Sequence, residues 1–401
     1  MKKQREELVE FIRHQPVINT HCHHLEGGEF QDFDLEKLIE KSYVSWSQVP
    51  VGKTARERAA FLERVRGKSY FVWLEKSLRE LYGYDGAVSV ENWERHSERI
   101  GAAHSDPDHH LAVLRQRCGY RRIILDCYWN PGSDHGIPDL FAPTYRINMF
   151  LYGYSRDAKD HNGNNPLALY EKRVSDLDEY LALLKELVAQ KKRTGCVALK
   201  SALAYDRSIQ FDEVPREKAK EVFRRKPGGP TEQDIRNFQD YVFHEICAAA
   251  RDEGLPFQCH TGLGALQETN ALRLRNVIVK FPEVRFVLFH GGYPWIDDLL
   301  ALVHNYPNVY ADLCWLPIIS PSAAERALHE LVEVGTADKL MWGCDTWSSE
   351  ESYGALLAFR HTLAKVLSSK IEDGYFSLED AKAVSIRVMR GNAAELFGFE
   401  I

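Results

Sequence analysis

One recurrence limits what this chain can become: apolar runs keep ending in a side chain able to bind a metal. The first run is Val17-Ile18-Asn19-Thr20-His21-Cys22-His23-His24. On a β-strand, residues i and i+2 point to the same side, so His21 and His23 aim together while Cys22 turns away. Two imidazoles held this way make half of a metal site. His-x-His alone is a weak signal, equally at home on a polar strand edge. Three later runs repeat the pattern at 256–260, 285–290 and 340–345, ending in His260, His290 and Asp345.

Around these runs, strands and helices alternate. Residues 4–14 have the spacing of a short amphipathic helix before the first strand. Further strands are predicted at 120–127, 145–150, 196–200, 256–260, 285–290, 309–312 and 340–345. Helices are predicted at 177–193, 233–253, 271–280, 295–305 and 322–334, with closing helices at 353–368 and 378–397. Gly254 reads as a C-terminal cap, and Lys-Pro-Gly-Gly-Pro at 226–230 marks a loop. Eight strands alternating with helices predict a single α/β domain over 1–401, a (β/α)8 TIM barrel. A doubly wound open sheet is the alternative, but no Gly-x-Gly-x-x-Gly turn supports it. A chain of 401 residues with 44% hydrophobic content is long enough for such a core.

The stretch 25–117 interrupts the alternation after strand one. Its pattern is helical, with Leu35, Leu38 and Ile39 on one face, and Phe71, Leu74, Leu78 and Leu81 on another. It is rich in aromatics, among them Trp46, Tyr70, Trp73, Tyr82, Tyr84 and Trp93. A plain reading is a helical excursion packing its own small core. Insertions in βα loops fall on the catalytic face, so the stretch is expected to be a helical cap over that face.

Composition removes several functions. The net charge of -7 forces no basic face for nucleic acid. The 8 Cys include no Cys-x-x-Cys pair, which suggests reduced, buried thiols in a cytoplasmic protein. Residues 4–10 are too charged for a signal-peptide core, and no run approaches the ~18 apolar residues of a membrane span. The expected partner is a small-molecule substrate, with no nucleic acid and no membrane; a homo-oligomer stays open.

In a barrel the C-terminal strand ends converge on one cavity. His21, His23, Lys200, His260, His290 and Asp345 all fall at predicted strand ends. A lone His there is usually structural. Five metal-capable residues at four strand ends, with Lys200 at a fifth, make that reading hard to keep.

This set resembles the amidohydrolase superfamily. The closing Gly391-Asn392-Ala393-Ala394-Glu395-Leu396-Phe397 is similar to the C-terminal signature of its amidohydrolase-related branch. Residues 197–205 (VALKSALAY), 260–264 (HTGLG) and 289–294 (FHGGYP) resemble the amidohydrolase-like domain that fungi and plants fuse to a glutamine-synthetase-like domain. The insertion around 70–84 is similar to that of uronate isomerases. The resemblance implies a divalent metal, Zn first with Mn or Fe as alternatives, one ion favoured over two. It makes His21, His23 and His260 ligands, with Asp345 a ligand or close neighbour.

Asp345 would take a proton from a metal-activated water and later deliver it to a leaving group. His290 would polarise the substrate carbonyl or orient the water. Lys200 would join the metal set only if carbamylated; otherwise it would contact a substrate carboxylate or form a barrel salt bridge. Tyr205, Arg207 and Arg146 are candidates for binding an anion, and Trp129 for lining the mouth. His104, His109 and His110 cluster near the end of the insertion with no carboxylate arrangement visible in the sequence. The leading expectation is a hydrolase of a small carboxylate-bearing amide, lactone or ester-like substrate. The alternative is a decarboxylase, lyase or aldose–ketose (uronate-type) isomerase on the same site. A catalytically dead barrel is disfavoured because the full residue set is present.

Overall fold

The computed structural model describes residues 2–224, 229–335 and 337–400. Eight strands form one sheet in chain order: β1 (Val17–Cys22), β2 (Tyr120–Leu125), β3 (Phe141–Arg146), β4 (Ala198–Ser201), β5 (Phe257–Cys259), β6 (Phe286–Leu288), β7 (Val309–Asp312) and β8 (Leu340–Met341). Every neighbouring pair from β1 to β8 is parallel. The chain just after β8 then returns to β1. Thr20 N–H donates to the Trp342 carbonyl at 3.2 Å, Asp345 N–H to the His21 carbonyl at 2.9 Å, and His23 N–H to the Thr346 carbonyl at 3.0 Å. These bonds close the sheet into the (β/α)8 barrel. Gly343 lies at this seam, and a Cβ there would sit 2.6 Å from His21 N.

The strands read as continuous apolar runs because helices cover the outer face while side chains fill the interior. All residues of β1, β3, β4, β5 and β6 are buried. The helices Leu177–Arg193, Glu232–Glu253, Ile296–Asn305 and Pro321–Val334 fall where the apolar spacing placed them. Gly254 closes the second of these at φ 64°, a left-handed cap that costs glycine little. The expected strand at 145–150 starts earlier and stops at Arg146, and residues Asn148–Tyr152 form a 3-10 turn instead. Pro143 hid that strand. Its carbonyl accepts from Val197 N–H at 3.0 Å, so this proline still serves the β3–β4 side of the ladder. Of the loop read at 226–230, residues 226–228 lie outside the described residues. All eight cysteines are buried free thiols.

The stretch after β1 is helical, including Leu35–Glu40, Ala55–Val65, Ser69–Tyr82 and Trp93–His104. It packs a small core of its own around Phe33, Leu38, Phe61, Phe71 and Trp93. It also leans on the barrel. Helix Ser69–Tyr82 lies against Ser349–Glu372, where a Cβ on Gly354 would come within 2.7 Å of the Trp73 carbonyl oxygen. Among the described residues, no helix is long and apolar enough to cross a membrane.

Candidate metal centre

The C-terminal ends of the strands open onto a cavity of about 300 Å³. His21 and His23 enter it from β1 and Asp345 from the chain after β8. Asp345 Oδ1 lies 3.3 Å from His21 Nε2 and 3.1 Å from His23 Nε2. All three side chains are under 10% exposed. Donors placed tetrahedrally around a Zn²⁺ at 2.0–2.1 Å lie roughly 3.3–3.4 Å apart. The two separations from Asp345 match that spacing, all three atoms lie within 4.8 Å of one another, and among the described residues Asp345 Oδ1 accepts no hydrogen bond.

The orientation of His23 is fixed from behind. Its Nδ1 lies 2.7 Å from the backbone carbonyl of Asp126 and donates to it, which leaves the Nε2 lone pair for the cavity. Burial opposes ionisation of Asp345, but His21 and His23 outweigh it and hold the carboxyl well below the usual range. Burial, reinforced by the Lys200 charge, lowers the pKa of His21 to about 3. An anionic carboxylate beside a neutral imidazole is the protonation state that metal binding requires.

Lys200 rises from β4 between these groups. Its Nζ is 3.4 Å from His21 Nε2 and 3.7 Å from the centre of the Phe289 ring. Burial lowers its pKa to about 8.

His260 and His290 form a second pair. His290 Nδ1 lies 3.0 Å from the Cys314 carbonyl, and its Nε2 lies 2.9 Å from His260 Nδ1. His260 Nε2 meets the Leu263 carbonyl. Burial puts His290 at about 4 and His260 well below its ordinary value, so both rings are neutral. Two neutral imidazoles carry two N–H protons, whereas these three contacts need three. One of the three contacts is therefore left without a proton. His290 Nδ1 also stands 3.9 Å from Asp345 Oδ2. The backbone is strained at both of these acid–base candidates: His290 has φ 65° and Asp345 φ 59°.

His260 lines the cavity but is turned toward Leu263 and His290, not into the donor face of His21, His23 and Asp345. Arg146 lines the cavity too. Much of its guanidinium is held by Asp126, through Nε at 3.2 Å to both carboxylate oxygens and Nη2 at 2.5 Å, and Nη1 bonds Asn162 Oδ1 at 2.7 Å. Tyr205 faces the cavity with its ring 4.6 Å from that of His260. Arg207 does not reach the cavity. Its fork is taken by Asp240 at 2.5 Å and Gln239 at 2.9 Å. Trp129 turns outward against His135, and its neighbour Tyr128 lines the cavity instead.

Other contributors went unread. Asp126 stands one residue before the end of the apolar run at 120–127, much as Asp345 ends its own, so that signal was available. Tyr43 and Trp46 come from the insertion, and His161, Asn162 and Trp347 from loops. No periodicity points to them.

The amidohydrolase family profile matches residues 210–399, the half of the barrel that carries His260, His290 and Asp345. Over that stretch, just under half of its length, the chain is similar to the amidohydrolase family. Protein fluG of Emericella nidulans is 34% identical over 148 residues, 35% of this chain and 17% of that protein. A uronate isomerase of Streptococcus agalactiae serotype V is 20% identical over 288 residues, 64% of this chain and 60% of the isomerase. The chain thus matches less than two thirds of the length of either curated relative. The solved uronate isomerase of Thermotoga maritima shares the fold at a TM-score of 0.78 and 17% identity, covering 98% of this chain and 97% of that one. Superfamily members bind divalent metals, and His21, His23 and Asp345 fit such an ion in number, spacing and donor type.

Proposed function

We propose that this chain is a metal-dependent hydrolase of small, carboxylate-bearing amides, lactones or ester-like compounds. The observation that carries the reading is the buried His21–His23–Asp345 face, open to a cavity of about 300 Å³. His21, His23 and Asp345 would hold one divalent ion, Zn²⁺ first, with His260 joining if its ring turns from Leu263. The ion would supply positive charge that acidifies a water and polarises a carbonyl.

The remaining steps belong to side chains. Asp345, ionised and with Oδ1 free of hydrogen bonds, takes the proton of the attacking water and returns it to the leaving group. His290 orients the carbonyl through the dyad with His260. Lys200 and the part of Arg146 facing the cavity attract the substrate carboxylate, and Tyr205 borders the same wall. Tyr43 and Trp46 from the insertion, with Tyr128 and Trp347, give that cavity an aromatic wall, which supports the insertion as a cap.

A second reading keeps the site and changes the reaction to aldose–ketose isomerisation. The similarity to a uronate isomerase over 64% of this chain favours it. The metal-loaded protein assayed against N-acyl amino acids, γ-glutamyl amides, lactones and uronates separates the two. Hydrolysis of a member of the first three classes, abolished by chelation and restored by Zn²⁺, is the expected result. Turnover of uronates alone would transfer the assignment to the isomerase.

A further inference from the structure

Three histidines near the end of the insertion take no part in the cavity, and the fold supplies the carboxylate they lack. Glu350, in the first turn of helix Ser349–Glu372, accepts from the Tyr82 hydroxyl at 2.6 Å and lies 2.6 Å from His104 Nε2. The same hydroxyl lies 3.1 Å from His109 Nε2. One ligand atom from each of His104, His109 and Glu350 falls within 4.8 Å of the others. The side chains of His104 and Glu350 are 2% and 0% exposed.

A second observation stands beside this cluster. His110 and His24 are both buried, with ring centres 5.2 Å apart. His110 also stacks at 4.2 Å on Phe30, whose ring lies 5.3 Å from that of His104. Among the described residues, none of the four ring nitrogens of His24 and His110 has a hydrogen-bond partner. Buried polar groups are satisfied as a rule, and an unsatisfied set marks a missing water or ion.

We propose that His104, His109 and Glu350 form a second divalent-cation site, of the zinc class, at the seam between the insertion and the barrel. Two imidazoles and a carboxylate are a zinc-type donor set, and the Tyr82 oxygen is at hand as a fourth donor. His104 and His109 come from successive helices of the insertion, Trp93–His104 and His109–Ala112, and Glu350 from a barrel helix. An ion here clamps one to the other. The site is separate from the cavity, which none of these residues lines. The two centres nevertheless share a chain segment: Glu350 lies five residues after Asp345.

The test counts ions and needs no substrate. Wild-type protein purified from zinc-supplemented medium should hold one ion more than His21→Ala, which loses the cavity site. After chelation, folded His21→Ala should take up ~1 equivalent of cobalt(II), with the visible bands of a nitrogen–oxygen site. Adding Glu350→Gln or His109→Ala to that variant should remove both uptake and bands. His109 is half-buried, so its substitution guards against a Glu350→Gln protein that does not fold, as judged by circular dichroism. In the wild-type background, His109→Ala should lower the metal count by one. Cobalt uptake by His21→Ala that survives these substitutions, or no uptake by that folded variant, overturns the proposal.

Discussion

Glu351 offers the sharpest test of the packing between insertion and barrel. Its carboxyl is buried, and Oε1 accepts the Tyr43 N–H at 2.7 Å while Oε2 has no partner. Burial raises its pKa from 4.5 to about 8, against the opposing hydrogen bonds from the Tyr43 and Trp347 backbones. The folded state therefore holds this proton more tightly than the unfolded chain. Between pH 4.5 and 8 the folded protein binds more protons, so stability falls as pH rises through that window. The contribution is fully present below 4.5 and lost above 8. At about 1.4 kcal/mol per pKa unit, the loss is on the order of 3–5 kcal/mol. Glu351→Gln keeps an oxygen to accept the Tyr43 N–H and removes the titration. Urea melts of both proteins from pH 5 to 9 read the effect. The two should be close at pH 5, and the variant should be the more stable by several kcal/mol at pH 9. A difference that stays flat across the window would refute a buried, largely protonated Glu351.

Three further outcomes are expected. Asp345→Asn should keep most of its metal and lose ~10²–10⁴ in kcat, whereas His21→Ala should lose metal and activity together; metal analysis beside steady-state kinetics separates them. Arg146→Met strands the Asp126 carboxylate, now paired at 2.5 Å, and should cost about 3–5 kcal/mol in the urea midpoint. Gly343→Ala pushes a Cβ to within 2.6 Å of His21 N, and should cost ~1–3 kcal/mol and lower metal occupancy, measured on the same samples.

The sequence carried the architecture because a parallel barrel buries both faces of its strands, leaving apolar runs that cannot be mistaken for loops. β7 came out at its observed bounds for that reason. β8 did not, because only Leu340–Met341 form a ladder; Gly343 to Asp345 are drawn across to β1 by the seam. His21, His23 and Asp345 were legible because they terminate such runs. His260 ends such a run too and lines the cavity, but a strand end fixes where a side chain starts and not which way its ring turns. The pairing of Arg207 was not legible, because Asp240 lies 33 residues on, in a helix whose facing side no local pattern reveals. Tyr43, Trp46 and Glu350 act through contacts hundreds of residues apart in sequence, and such pairings leave no local trace.

The seam that closes the barrel also has a consequence for how the protein assembles. His21 and Asp345 are joined by a backbone bond of 2.9 Å and lie on the same coordination face, yet 324 residues separate them. A chain still emerging from the ribosome can present His21 and His23 early, but it cannot set the Asp345 carboxylate beside them until the last strand has been made. Contacts this distant pay the largest loop-closure entropy and form late. Metal capture should thus mark the end of folding, and the ion will act as a latch on a barrel already shut rather than as a nucleus around which it grows.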